Sequence, residues 1–138
     1  MFSSAVKHDV VLKITAGKTS ANSGFNFDGF AKGAATFTVP LGWGVTIELT
    51  NSSKIPYSLA ITTNLKEHPT LPHFGIAPTE TPNPIQGISA GKFQLFSFPA
   101  VQAGNYFIAC LVPGHLQSGM WDRFTISRTA NAPSKTAK

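Results

Sequence analysis

The chain has 138 residues, a length that predicts one domain with a single apolar core. Eleven Lys and Arg against six Asp and Glu give a formal net charge of +5, although only 12% of the residues are charged. The cations are scattered and form no basic run, which argues against a nucleic-acid-binding protein. No stretch of 18 consecutive apolar residues is present, so the sequence predicts no membrane-spanning helix.

The single cysteine, Cys110, excludes a disulfide within the chain and leaves one thiol free to act as a ligand. The six carboxylates offer few native interactions that could be lost as the pH falls, and such losses are the main route of acid denaturation. The composition therefore favours a protein of an acidic compartment.

Alternation of apolar and polar residues with a period of two predicts a series of β-strands. The alternation is clearest where Val45, Ile47 and Leu49 are separated by polar residues. Strands are predicted near residues 10–15, 35–39, 45–50, 57–63, 92–98, 104–109 and 121–127. Short strands, Gly and Pro turns and the absence of helical periodicity predict an all-β fold, an antiparallel sandwich.

Two segments lack this alternation. Residues 64–91 contain five prolines, and a connection of this length inside a compact domain usually has a function. We expect it to lie at the functional end of the domain, where it would shield a site or supply a residue to it. Residues 129–138 are small and polar, which predicts a flexible C-terminal tail after a domain of residues 1–128.

The most informative motif is the loop between the last two predicted strands, where Cys110, His115 and Met120 follow one another at equal spacing. Pro113 and Gly114 supply a turn between the first two. Thiolate, imidazole and thioether are the donors that hold copper, and a trigonal arrangement with a long axial Met is typical of electron-transfer copper sites. Each residue alone is compatible with ordinary packing, but their joint occurrence indicates a mononuclear copper site.

Residues 104–121 resemble the copper loop of the cupredoxins, the blue copper family, and specifically that of the rusticyanin and sulfocyanin group of acid-loving prokaryotes. Residues 25–30, the turn at 39–40 and residues 43–51 are also similar, so the resemblance covers about residues 8–127. It implies a Greek-key β-sandwich and makes Cys110, His115 and Met120 the ligands of one copper ion.

The resemblance breaks at the fourth ligand, because the family has a histidine where this chain has Tyr57. Tyr57 would bind as a phenolate only if the metal removed a proton from a group whose ordinary pKa is about 10. Alternatively His73 or His68, from the long segment, occupies the fourth position. The site could also hold copper weakly or through three ligands, which suits Cu(I), with Tyr57 as an aromatic residue that caps it.

The resemblance implies a one-electron carrier whose redox partner is a c-type cytochrome or a terminal oxidase. The missing histidine keeps a second function open, in which the domain stores, delivers or senses copper. We do not expect an enzyme, because nothing in the sequence orients Cys110 and His115 as a nucleophile and its base.

The family resemblance also implies an exported protein of an acidophile. We expect a periplasmic or other extracytoplasmic location, a monomer, and a membrane tether or signal that precedes residue 1 in the full-length protein. No interaction with nucleic acid is expected.

Overall fold

A computed structural model describes residues 4–5, 8–66, 69–72, 74 and 78–137. Within these residues the chain forms strands and one short 3-10 turn, at Ala21–Gly24. No helix that is long and apolar enough to cross a membrane occurs in the described part of the chain. The strands are β1 (Ser4–Ala5), β2 (Asp9–Ala16), β3 (Ala35–Pro40), β4 (Gly44–Asn51), β5 (Ala60–Thr62), β6 (Phe93–Pro99), β7 (Gly104–Ala109), β8 (Trp121–Ser127) and β9 (Ser134–Ala137).

The strands form two sheets, which have the orders β1-β2-β4-β6 and β5-β7-β8-β3-β9. The predicted β-sandwich is confirmed, but two of its ladders, β2 with β4 and β3 with β8, are parallel rather than antiparallel. The connectivity explains this difference. Because β3 lies in the second sheet, the chain crosses over after β2 and returns to the first sheet as β4, running in its original direction.

The core lies between the sheets and is built from the side chains that alternate along each strand. In β4, Val45, Ile47 and Leu49 are buried, whereas the residues between them are partly exposed, as the period of two predicts. Phe37 on β3 and Phe124 on β8 are fully buried in the second sheet. Strand β8 begins directly after Met120, so the core holds one end of the loop that carries the candidate site residues.

The C-terminal segment differs from the expected flexible tail. Residues 134–137 form β9, which pairs antiparallel with β3 so that Ser134 lies opposite Thr38. Lys135 places its Nζ 3.4 Å from Asp28 Oδ2, and the same ammonium lies 5.1 Å from the ring centroid of Phe30. Residues 134–137 therefore belong to the second sheet, a pairing that the sequence did not indicate because a short polar edge strand carries no alternation.

The buried carboxyl of Asp122 lies between β8 and β3. Its Oδ1 accepts a hydrogen bond from the Ala35 amide at 3.2 Å, while Oδ2 has no partner among the described residues. Burial raises the pKa of Asp122 to about 7, against the opposing effect of the backbone hydrogen bonds from Ala35 and Ala34. Such a carboxyl favours the folded state only when it is protonated.

We expect the stability of the copper-free protein to fall between about pH 4 and pH 7 through Asp122. The folded pKa lies above the unfolded value of about 4, so the folded chain binds this proton more tightly, and stability is lost at up to about 1.4 kcal/mol per pH unit in that range. Asp122→Asn, which is neutral at every pH, should remove this slope from urea unfolding curves. Glu48→Gln, on the partly exposed face of β4, is the control and should retain it. Equal slopes for Asp122→Asn and wild type would contradict the expectation.

Candidate metal centre

The loop between β7 and β8 is held by hydrogen bonds among the backbones of the three candidate ligands. The Cys110 amide donates to the Met120 carbonyl at 3.2 Å, and the Met120 amide donates to the His115 carbonyl at 3.1 Å. Gly114 has a φ of 87°, a conformation that glycine adopts at little cost, and it reverses the chain before His115. The backbone therefore fixes the three residues relative to one another before any metal is considered.

The side chains of Cys110 and His115 are in direct contact, with Sγ 3.3 Å from Nδ1. Cys110 and Met120 have no solvent-exposed surface, whereas His115 is partly exposed. The structure therefore brings the thiol and the imidazole together and buries the thioether at the end of the same loop. Only the imidazole reaches the surface.

Ser58 places both its backbone amide and its hydroxyl beside the sulfur of Cys110. Its amide donates to Cys110 Sγ at 3.4 Å, its hydroxyl lies 3.8 Å from the same atom, and that hydroxyl oxygen accepts from the Leu111 amide at 2.9 Å. Burial raises the pKa of the Cys110 thiol, and the hydrogen bonds from Ser58 and Val112 partly oppose this. Burial also lowers the pKa of His115. Both groups therefore favour their neutral forms, and a bound cation would be needed to ionise the thiol.

Tyr57 lies beside this pair, with its ring centroid 5.3 Å from that of His115. The side chain is fully buried, and its hydroxyl donates a hydrogen bond of 2.7 Å to the Gly24 carbonyl. The backbone of Tyr57 forms an isolated bridge with Ile88, which belongs to the long segment. A phenolate ligand would require loss of the hydrogen bond to Gly24, so the observed contacts fit a packing residue.

The histidine alternatives for the fourth position, His73 and His68, lie outside the described residues, and ligation by either stays a prediction. Where the structure describes the chain, no three side chains of His, Cys, Asp or Glu come together. The candidate centre there consists of one thiol, one imidazole and one thioether. Soft and borderline donors of this kind, in a site without carboxylates, fit copper rather than a hard cation such as Mg²⁺ or Ca²⁺.

Described residues of the long segment lie beside the metal loop. A cavity of about 500 Å³ is lined by Leu111, Val112 and Leu116 of the loop and by Pro69 and Ile85 of the segment. The lining is mainly apolar, so this side of the loop presents a surface that water hydrates poorly.

Glycine at position 87 permits the close approach of the segment to the loop. A Cβ at Gly87 would lie 2.8 Å from the Val112 side chain and 3.1 Å from the Tyr57 amide nitrogen. The φ of Gly87, +79°, also belongs to the region that other residues rarely adopt. At this position the long segment packs closely against both the metal loop and Tyr57.

Phe25, which follows the 3-10 turn, and Asn22, which lies within it, also contact the metal loop, and neither was among the residues predicted for the site. The ring of Phe25 lies 4.8 Å from that of His115, and Asn22 Nδ2 donates to the Ser118 carbonyl at 2.8 Å. The only local signal is a run of turn-forming residues at 22–24, which predicts a turn but not its contacts.

Comparison with known proteins gives a match over nearly the whole chain. Residues 2–137 match the model of the sulfocyanin (SoxE) domain family. Sulfocyanin from Sulfolobus acidocaldarius is 28% identical over an alignment of 132 residues, and the match covers 90% of this chain and 66% of that protein. The chain thus spans slightly less than two thirds of the length of this curated relative.

Two solved structures share the fold. Auracyanin A, described as a "blue" copper protein from Chloroflexus aurantiacus, superposes with a TM-score of 0.60 at 21% identity, covering 87% of this chain and 100% of its own. Rusticyanin from Thiobacillus ferrooxidans gives a TM-score of 0.58 at 22% identity, with 90% and 80% covered. Because the family match extends from residue 2 to residue 137, the chain belongs to the sulfocyanin (SoxE) domain family and has the cupredoxin fold.

Proposed function

We propose that this chain is a copper-binding electron carrier, not an enzyme, and that Cys110, His115 and Met120 hold its one copper ion. The observation that carries the proposal is the 3.3 Å contact between Cys110 Sγ and His115 Nδ1 on a loop whose backbone also fixes Met120. Copper in such a donor set would supply a one-electron redox couple. The family relationship and the description of auracyanin A as a blue copper protein support the same function.

The chain's own residues have separate parts in this function. The Ser58 amide donates to Sγ and would stabilise a thiolate, because hydrogen bonds to a charged acceptor are the stronger ones. Complete burial of Cys110 and Met120 excludes water from the two sulfur donors. His115 alone is partly exposed, so its ring edge is the shortest route between the centre and a partner protein.

At the fourth position we propose that Tyr57 packs against His115 without binding the metal. Two contacts support this role, the hydrogen bond from its hydroxyl to Gly24 and its ring contact with His115. His73 remains the other candidate for a fourth protein ligand. A centre with two sulfur donors and one imidazole would favour Cu(I) over Cu(II).

The same preference supports the alternative function, storage, delivery or sensing of copper. A carrier must keep its metal while it is oxidised and reduced, whereas storage, delivery or sensing of copper does not require the metal to be retained through redox cycles. Retention of copper over repeated redox cycles therefore separates the two functions.

We further propose that a redox protein, such as a c-type cytochrome or a terminal oxidase, docks at the metal loop in an extracytoplasmic compartment. The apolar cavity beside residues 111–116 supports docking there, because electron-transfer complexes are small and transient and an apolar contact needs no desolvation of charges. A monomer, an acidophilic source and a membrane tether in the full-length protein remain predictions of the family resemblance.

The direct test is a copper titration followed by redox cycling. We expect one equivalent of Cu(II) to produce an intense thiolate-to-copper absorption band, ascorbate to bleach it and ferricyanide to restore it, with copper retained after gel filtration. Loss of copper at each cycle would favour delivery over electron transfer. Absence of both the band and stoichiometric copper would contradict either function.

A further inference from the structure

The turn beside the metal loop has an unusual backbone. Asn22 and Ser23 both have positive φ angles, 51° and 58°, although neither is glycine. Left-handed conformations are costly for residues with a side chain, and two in succession persist only where surrounding contacts hold them. The contacts that hold these two residues in this conformation therefore indicate the role of the turn.

One side chain connects the turn to the metal loop. Asn22 Nδ2 donates to the Phe25 carbonyl at 3.0 Å and to the Ser118 carbonyl at 2.8 Å. Ser118 lies between two of the proposed ligands, and its own amide donates to the His115 carbonyl at 3.1 Å. A single amide group thus ties the turn to the part of the loop that carries the imidazole.

The turn also positions both rings that contact His115. Phe25, which ends the turn, has its ring centroid 4.8 Å from that of His115. Gly24 accepts the hydroxyl hydrogen bond that orients Tyr57, whose ring lies 5.3 Å from the same imidazole. If the turn moved, the two aromatic contacts of His115 would change together.

We propose that Asn22 is a positioning residue of the metal centre, which sets the orientation of His115 through Ser118, Phe25 and Tyr57. The inference rests on the proposed copper site. With Tyr57 in place of a histidine ligand, the metal has one bond fewer with which to orient its ligands, so the surrounding contacts must supply that constraint.

Two variants separate the hydrogen bonds from the backbone strain. Asn22→Asp keeps the shape and the tolerance for positive φ but replaces the donating NH₂ with an oxygen that faces two carbonyls. Asn22→Gly also removes the donor, yet it relieves the strained φ and so preserves folding. Asn83→Asp is the control, because Asn83 is an exposed asparagine with a φ of 50° whose side chain makes no hydrogen bond within the described ranges.

The first readout uses the copper-free protein. Both Asn22 variants should shift or broaden the His115 imidazole signals in ¹H–¹⁵N NMR spectra, and Asn83→Asp should leave them unchanged. In the copper-loaded protein, both Asn22 variants should shift the thiolate-to-copper band and weaken copper binding about 10-fold, as substitution of an outer partner typically does.

Unchanged His115 signals in Asn22→Gly, the variant expected to fold in any case, would overturn the positioning role. The experiment distinguishes failure of the proposed copper site from failure of the proposed role of Asn22. If wild type binds no copper, the proposed function fails while the His115 signals still decide the role of Asn22. If wild type binds copper and both Asn22 variants match it in band position and affinity, only the role of Asn22 fails.

Discussion

Replacing Cys110 with serine is expected to abolish the thiolate-to-copper absorption band and to weaken copper binding by more than about 100-fold, beyond the range typical of outer partners. The band requires sulfur, and a serine hydroxyl is a hard, protonated donor that Cu(I) binds poorly. The copper-free variant should still fold, because a hydroxyl oxygen can accept the hydrogen bond that the Ser58 amide donates to Sγ. Visible absorption and competition with a Cu(I) chelator measure the two effects.

Met120→Leu is the matched control for Cys110→Ser. It removes the other sulfur donor of the loop but keeps the buried apolar volume, so the absorption band should persist at a shifted position while affinity falls. Persistence of the original band in Cys110→Ser would show that the thiol is not a ligand.

Tyr57→His is expected to tighten Cu(II) binding and to move the spectrum towards that of a four-ligand blue copper site. A new ligand bond that contributed only 1.4 kcal/mol would already raise the affinity about tenfold. The imidazole would replace a ring that already lies beside His115, although the hydrogen bond to Gly24 would be lost. Cu(II) titration and electron paramagnetic resonance follow the change.

Tyr57→Phe is the control for that experiment, since it keeps the ring and removes only the hydroxyl. If Tyr57 is a packing residue, the spectrum should remain nearly the same and stability should fall by about 1 kcal/mol through the lost hydrogen bond. A large spectral change in Tyr57→Phe would indicate a phenolate ligand. Should Tyr57→His have no effect while His73→Ala abolishes Cu(II) binding, the fourth ligand comes from the long segment.

The strands could be predicted where the two faces of the sheet differ in burial, because apolar and polar residues then alternate along the strand. In β2, β4 and β8 one face is buried and the other is not, which produces the alternation. Edge strands lack this signature. On β6, which was predicted near residues 92–98, the apolar residues Phe93 and Leu95 are 59% and 50% exposed, so apolar character does not mark the buried face, and the polar β9 gave no signal at all.

The start of β5 could not be predicted, for a different reason. The apolar pattern predicted a strand from Tyr57, whereas β5 begins at Ala60. Tyr57 instead pairs with Ile88, so a contact with the long segment, distant in sequence, replaces the regular ladder. Local propensity could not reveal this pairing.

The candidate site likewise contains residues that the sequence could predict and contacts that it could not. Cys110, His115 and Met120 are close in sequence, so their spacing alone predicted their proximity. Asn22 and Ser118 are separated by 96 positions, and nothing near either residue indicates the hydrogen bond between them. Contacts that orient a site are often of this kind, because they depend on how two distant segments pack.

Among the strands that the structure describes, β3 pairs with two that come much later in the chain. Its residues lie opposite β8 and β9, so Thr36 pairs with Arg123 and Thr38 with Ser134, partners roughly 90 residues away. Closing such large loops is slow, and sheets of this topology typically fold in milliseconds to seconds. During synthesis, the β7–β8 hairpin with its thiol would emerge before β9 covers the edge of β3. A nascent or truncated chain that lacks Ser134–Ala137 would therefore expose an unpaired strand, to which other chains could add.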